Sequence, residues 1–147
     1  MGKTAIVYYS QHHGNTKKIL DAIAGYDKDV TLIDVLDRHE VDLTGYDRIG
    51  FASGIYFGKF AEQLHNFAKV NLPTGKDVFF IATAGNPINH NFNSIVAATK
   101  DKHCNEIGRF QCGGFDTFGP FKLVGGLQKG HPTEEELQGA IEFYKNL

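Results

Sequence analysis

The run Val78-Phe79-Phe80-Ile81-Ala82, bounded by turn residues on either side of Asp77–Thr83, constrains the fold more than any other feature of this 147-residue chain. Successive side chains of a strand point to opposite faces, so a strand with one wet face alternates polar and apolar. A strand that is apolar throughout is covered on both faces, as in a parallel sheet flanked by helices. The rest of the chain keeps a matching rhythm. Ala5–Tyr9 is a second apolar run, Val30–Val35 is β-branched, Arg48–Ser53 reads as a third strand, and Ile107–Cys112 as the fifth. Helical stripes fall between them: Ile19, Leu20 and Ile23, then Phe60, Leu64, Phe67 and Ala68, then Phe92, Ile95, Val96 and Thr99. At the end, Thr133 and Glu136 form a capping box, and Leu137, Ile141 and Tyr144 form the buried stripe. The expectation is an α/β fold over residues 1–147 as a single domain, with five strands in a doubly wound parallel sheet and right-handed crossovers.

In such sheets ligands sit beyond the carboxyl ends of the strands, at the topological switch point. Three loops therefore matter most: 10–16, 53–59 and 83–91. The first is Ser10-Gln11-His12-His13-Gly14-Asn15-Thr16, joining a buried strand to a helix start. The first amides of a helix have no intrahelical acceptor and carry partial positive charge, so they favour an anion. Ser10, Asn15 and Thr16 add side-chain donors, and Gly14 permits close backbone approach. The same residues also read as an ordinary N-capped βα turn. A dinucleotide fold would show GxGxxG here, and the glycines are absent although Asp34 lies near the expected acid. Gly2-Lys3-Thr4 precedes the strand and cannot serve as a Walker loop. The second loop, Ser53-Gly54-Ile55-Tyr56-Phe57-Gly58, sets aromatics between glycines, suited either to stacking on a flat heterocycle or to packing on the next helix. The third, Thr83-Ala84-Gly85-Asn86, offers small residues and donors for the opposite edge. A phosphate on one side and an aromatic slot on the other describe a mononucleotide, and flavin mononucleotide (FMN) fits the slot best.

The chain resembles the flavodoxin family. Tyr8-Tyr9-Ser10 through Gly14-Asn15-Thr16 is similar to that family's phosphate loop, Phe57-Gly58 to the aromatic-glycine pair of its first flavin loop, and Thr83-Ala84-Gly85 to its second. The stretch Gly114–Pro120 with Gly130-His131-Pro132 resembles a bacterial subgroup of flavodoxin-like proteins. This resemblance implies a three-layer sandwich with strand order 2-1-3-4-5. It implies a phosphate held by Ser10, Gly14, Asn15 and Thr16, and a ring system lined by Gly54, Ile55, Tyr56, Phe57 and Gly58 with Thr83, Ala84, Gly85 and Asn86. It further implies a backbone carbonyl that bonds flavin N5 in the half-reduced state, with Gly58 the first candidate and Gly54 the second. The phosphate loop departs from Ser-x-Thr-Gly-Asn-Thr by one residue, with two histidines before the glycine, and the chain has no tryptophan.

A net charge of -2 leaves no basic footprint for nucleic acid, and no apolar stretch reaches membrane-spanning length. Cys104 and Cys112 lie in neither CxxC nor zinc spacing and read as core thiols of a cytoplasmic protein. His12 and His13 are expected to supply charge to the phosphate, with a raised pKa for one of them. Gly113–Pro132, rich in glycine yet carrying Phe115, Phe118 and Phe121, starts on the ligand side and reads as a functional loop. The expected function is one-electron exchange as a soluble carrier, working with a reductase and an acceptor protein as redox partners, as a monomer or weak dimer. The alternative is an FMN-dependent oxidoreductase of the same fold, a quinone reductase or protoporphyrinogen-oxidase-like dehydrogenase.

Overall fold

A computed structural model describes residues 2–10, 14–113 and 132–147. The elements run β1 (Thr4–Tyr9), α1 (Asn15–Tyr26), β2 (Val30–Asp34), β3 (Arg48–Tyr56), β4 (Lys59–Phe60), α2 (Glu62–Asn71), β5 (Asp77–Thr83), a 3-10 turn (Asn89–Phe92), α3 (Asn93–Lys100), β6 (Asn105–Cys112) and α4 (Glu134–Lys145). Five strands pair in parallel in the order β2-β1-β3-β5-β6. This is the expected 2-1-3-4-5 winding with one addition. The two-residue β4 lies inside the segment read from sequence as a loop and pairs antiparallel with the end of β3.

The apolar runs behave as strand geometry requires, sending alternate residues to opposite layers. Val7 and Phe80 enter one cluster with Phe51, Phe60, Leu64, Phe67 and Ile95, under α2 and α3. Ile6, Phe79 and Ile81 enter the other with Ile19, Leu20, Ile23, Ala140 and Tyr144, under α1 and α4. All of β5 after Asp77 is buried, which is why its sequence shows no alternation. Truncating a ring such as Phe80 to alanine costs about 3–5 kcal/mol.

The helix ends follow the sequence closely. The capping box of α4 is complete: Thr133 Oγ1 accepts from the Glu136 amide at 3.1 Å, and Glu136 Oε1 accepts from the Thr133 amide at 2.8 Å. Glu136 Oε2 also accepts the Gly113 amide at 3.0 Å, so one carboxylate joins the end of β6 to the start of α4. At the opposite end of the sheet, where β1 and β3 begin, the Tyr144 hydroxyl donates to Asp27, and Arg48 lies over the Tyr144 ring at 4.8 Å. Because β2 and β3 flank β1 on either side, the winding reverses between β1 and β3, and the carboxyl ends there open the crevice.

Candidate functional site

Three chain segments meet at these carboxyl ends. In the first, β1 hands over through Ser10 to α1, whose N-cap is Gly14 in the left-handed region at φ 64, ψ 26. A side chain at Gly14 would meet nothing within 4 Å, so the glycine is there for its backbone conformation and leaves open space around it. No side chain caps α1 at this residue, and the first turn carries no acid but does carry Lys17 and Lys18. Such a start retains its preference for an anion. The Lys17 amide donates to Ser10 Oγ at 3.4 Å, a long bond that places the hydroxyl over the helix entrance. The Lys17 ammonium turns back along the helix to Asp21 at 2.6 Å, and that bond holds its pKa above the ordinary lysine value.

Asn15 and Thr16 are both buried. The Thr16 hydroxyl meets the Thr83 hydroxyl at 2.8 Å, across 67 residues of sequence. Each hydroxyl has one proton and two acceptor sites, so after one donates to the other the pair keeps one proton for a further partner. This contact ties the start of α1 to the third loop. Beside it, Tyr8 pairs with Asp34 in register, and its hydroxyl pKa is pushed up by burial first and by the Asp34 carboxylate second.

The second segment is a hairpin rather than an open loop. Gly54, Ile55 and Tyr56 continue β3, Ile55 faces Phe60, and Tyr56 faces Lys59. Phe57 and Gly58 form the two-residue turn with φ 54 and φ 79. Positive φ at both central positions matches a type I′ turn, where asparagine-glycine is the favoured pair. A bulky residue in the left-handed region is an outlier, and Phe57 is also fully exposed. Tyr56, by contrast, packs within the protein. It meets Tyr9 edge-on with ring centroids 5.6 Å apart, and its hydroxyl lies over Gly54. Tyr9, Tyr56, Phe57 and Lys59 help line a shallow pocket of about 200 Å³ on this side of the hairpin. Buried Ser53, one residue earlier, accepts the Ala61 amide at 3.1 Å and donates to the Gly54 carbonyl, closing the base of the hairpin.

The third segment leaves β5 at Thr83, which stands opposite Gly54 in the parallel register. The Ala84 amide donates to the Cys112 carbonyl at 2.9 Å; Thr83 and Ala84 are buried, Gly85 is half-buried and Asn86 is exposed. The structure therefore brings Ser10, Gly14, Asn15, Thr16, Gly54, Ile55, Tyr56, Phe57, Gly58 and Thr83–Asn86 to one end of the sheet. His12, His13 and the segment 114–131 lie outside the described residues, as do Phe115, Phe118 and Phe121.

Sequence reasoning placed Ser53 in the second loop without giving it a role, and it missed the pairing of Asn91 with Gln111. Asn91 is buried in the 3-10 turn, and its amide nitrogen donates to the Asn86 carbonyl at 3.0 Å and to Gln111 Oε1 at 2.7 Å. Nothing in an asparagine-rich stretch marks which amide turns inward. The two cysteines are free thiols. Burial, with a smaller contribution from Glu136, pushes the Cys112 thiol up to about 12, so it is inert as a nucleophile. Among the described residues no cluster of histidine, cysteine or carboxylates forms a metal site, and no helix is long and apolar enough to cross a membrane.

A parallel sheet wound 2-1-3, a helix start at its switch point and a glycine-aromatic turn beside it define a doubly wound α/β protein with a flavodoxin-like fold. The sequence profile of the flavodoxin domain matches residues 6–114, and the chain belongs to that family. An uncharacterized protein of Methanocaldococcus jannaschii is 38% identical over 99% of this chain and 97% of its own length. Among solved structures, a flavodoxin from the domain Archaea superposes with a TM-score of 0.59 at 19% identity, covering 97% of both chains. General stress protein 14 of Treponema denticola, solved in complex with FMN, superposes with a TM-score of 0.61 at 12% identity, covering 98% of this chain and 94% of its own. At those identities the structural likeness establishes the fold.

Proposed function

We propose that this protein binds FMN at the carboxyl ends of β1, β3 and β5 and acts as a one-electron carrier between a reductase and an acceptor protein. The observation that carries the reading is Phe57. A phenylalanine in the left-handed region costs roughly 1–2 kcal/mol, and here its ring buries nothing in return. Strain and exposure together at one aromatic residue make sense when a flat ligand covers the ring. The described residues fit FMN in their donor set as well. Ser10, the amides at the start of α1 and the remaining proton of the Thr16–Thr83 pair suit a phosphate group. The Gly58 turn supplies a peptide carbonyl beside the slot, in a turn whose glycine can change conformation without a Cβ penalty. The FMN complex of the Treponema denticola relative supports the same cofactor.

Bound FMN supplies one- and two-electron chemistry, while the protein contributes binding, orientation and electrostatics. Phe57 shields a ring face from water. The apolar surroundings of Tyr9 and Tyr56 disfavour added negative charge, because charge is costly to desolvate. A carrier role assigns the exposed hairpin tip to contact with redox partners.

The test is a visible spectrum of the purified protein, followed by titration with FMN. A colourless protein that takes up no FMN overturns the proposal. Photoreduction that accumulates a blue one-electron form supports the carrier. Direct two-electron reduction by NAD(P)H would instead make the protein an oxidoreductase of the same fold.

A further inference from the structure

Between the third loop and α3 the chain makes one 3-10 turn, and three of its residues engage three different partners. Phe92 is buried against Phe60, with ring centroids 5.7 Å apart, which pins the turn to β4. Asn91 uses its amide nitrogen on both the Asn86 carbonyl and Gln111 Oε1, while Gln111 Nε2 donates to the Ile88 carbonyl at 3.1 Å. The path of residues 86–88 is therefore set by two interlocked side-chain amides. His90 points the other way. Its Cδ2 lies 3.9 Å from where a Cβ on Gly58 would sit, so the imidazole faces the hairpin turn across a gap that a methyl group would fill. The Asn93 amide nitrogen lies 3.2 Å from His90 Nδ1, which fixes the orientation of the ring.

We propose that this turn is a bracket coupling the Phe57–Gly58 turn to the Thr83–Asn86 loop, with Asn91 and His90 as positioning residues for a flavin seated between them; the ligand part of this rests on the FMN reading above. A buried amide with both hydrogens engaged has one low-energy position. Displacing the third loop therefore displaces Phe92, and with it Phe60 of β4, the strand that follows the Phe57–Gly58 turn. The side chains act through the loops and not on the flavin itself.

Two substitutions test it. Asn91→Asp keeps the shape of the side chain and removes both donors. His90→Ala removes the exposed imidazole that faces the turn and leaves the core intact, so it remains informative if the first variant folds poorly. Amide hydrogen exchange is read first, on the unloaded chain. Asn91→Asp is expected to raise exchange about tenfold or more around Asn86 and also at residues 57–59 across the bracket. Faster exchange confined to residues 84–88 would overturn the coupling. FMN titration is read second. Each variant is expected to weaken binding about tenfold, the double variant by less than the product, and His90→Gln to recover part of the loss. His90→Ala should also change the separation of the two one-electron midpoint potentials with no change in thermal midpoint, which a merely structural role would not do. Unchanged affinity and potentials in both variants overturn the bracket. A wild-type chain that takes up no FMN but shows the coupled exchange refutes the flavin reading and leaves the bracket standing.

Discussion

Replacing Thr16 or Thr83 with valine probes a buried side-chain contact that ties the helix entrance to the third loop. The two hydroxyls are 2.8 Å apart, with Thr16 2% and Thr83 5% exposed, so neither has ready access to water. Valine matches threonine in shape and nearly in helix propensity, so the substitution removes the hydroxyl and little else. A single Thr→Val leaves the remaining hydroxyl buried without its partner, at a cost of about 1–3 kcal/mol. The double replacement removes both polar groups and leaves an apolar contact of the same shape, which is close to neutral by the same reasoning. Either single variant should therefore be the less stable, and the double variant should recover about 1 kcal/mol or more relative to the sum of the singles. For 147 residues, 1 kcal/mol corresponds to a shift of about 3 °C in thermal midpoint. Urea denaturation of the four proteins, analysed as a double-mutant cycle, measures the coupling directly. Strict additivity would refute the reasoning, since it would mean the hydroxyls do not depend on one another. The double variant should bind FMN more weakly, because it removes the proton that the pair keeps for the ligand, whereas each single variant retains one hydroxyl proton.

Phe57→Asn relieves the strained turn and should stabilise the unloaded protein by about 0.5–1 kcal/mol while weakening FMN binding; a variant that is no more stable by thermal melting would count against the strain assignment. Glu136→Ala removes the carboxylate half of the capping box and the bond to Gly113, and should cost about 1–2 kcal/mol in urea unfolding. Cys112 should resist iodoacetamide at pH 8 in the native state while half-buried Cys104 reacts faster, as read by peptide mass spectrometry; rapid native labelling of Cys112 would contradict its raised pKa. The Tyr144 hydroxyl, with the Asp29 amide second, holds the Asp27 carboxyl below its ordinary value. A depressed carboxylate stabilises the fold fully above the ordinary aspartate pKa of about 3.9, and that contribution disappears as pH falls through the lower folded value. Tyr144→Phe should thus shrink the acid-side loss of stability, and carbon NMR titration of Asp27 should show its pKa rising.

Much of this protein is local and therefore legible in its residues. The doubly apolar β5, the helical stripes and the Thr133–Glu136 box depend on contacts within a few residues or on which face a side chain must bury. The glycine and hydroxyl pattern of residues 10–16 and the aromatic-glycine pair at 57–58 are legible for the same reason, as short-range backbone demands. What the sequence left open depends on which distant segments become neighbours. The turn at Phe57–Gly58 is a hairpin because β4 finds the end of β3, a pairing two residues long and too short to leave a periodic trace. The Thr16–Thr83 contact joins two carboxyl-end loops that meet only once β1, β3 and β5 lie side by side in parallel register. Asn91 turns inward because Gln111 on β6 stands across from it, while Asn89 meets Arg109 at the surface and Asn93 meets His90. Sequence by itself determined the layers, the strand ends and the chemistry available at them. Tertiary structure alone decided which polar side chains lock those ends together, because a buried hydrogen bond needs a partner whose position only the assembled sheet supplies.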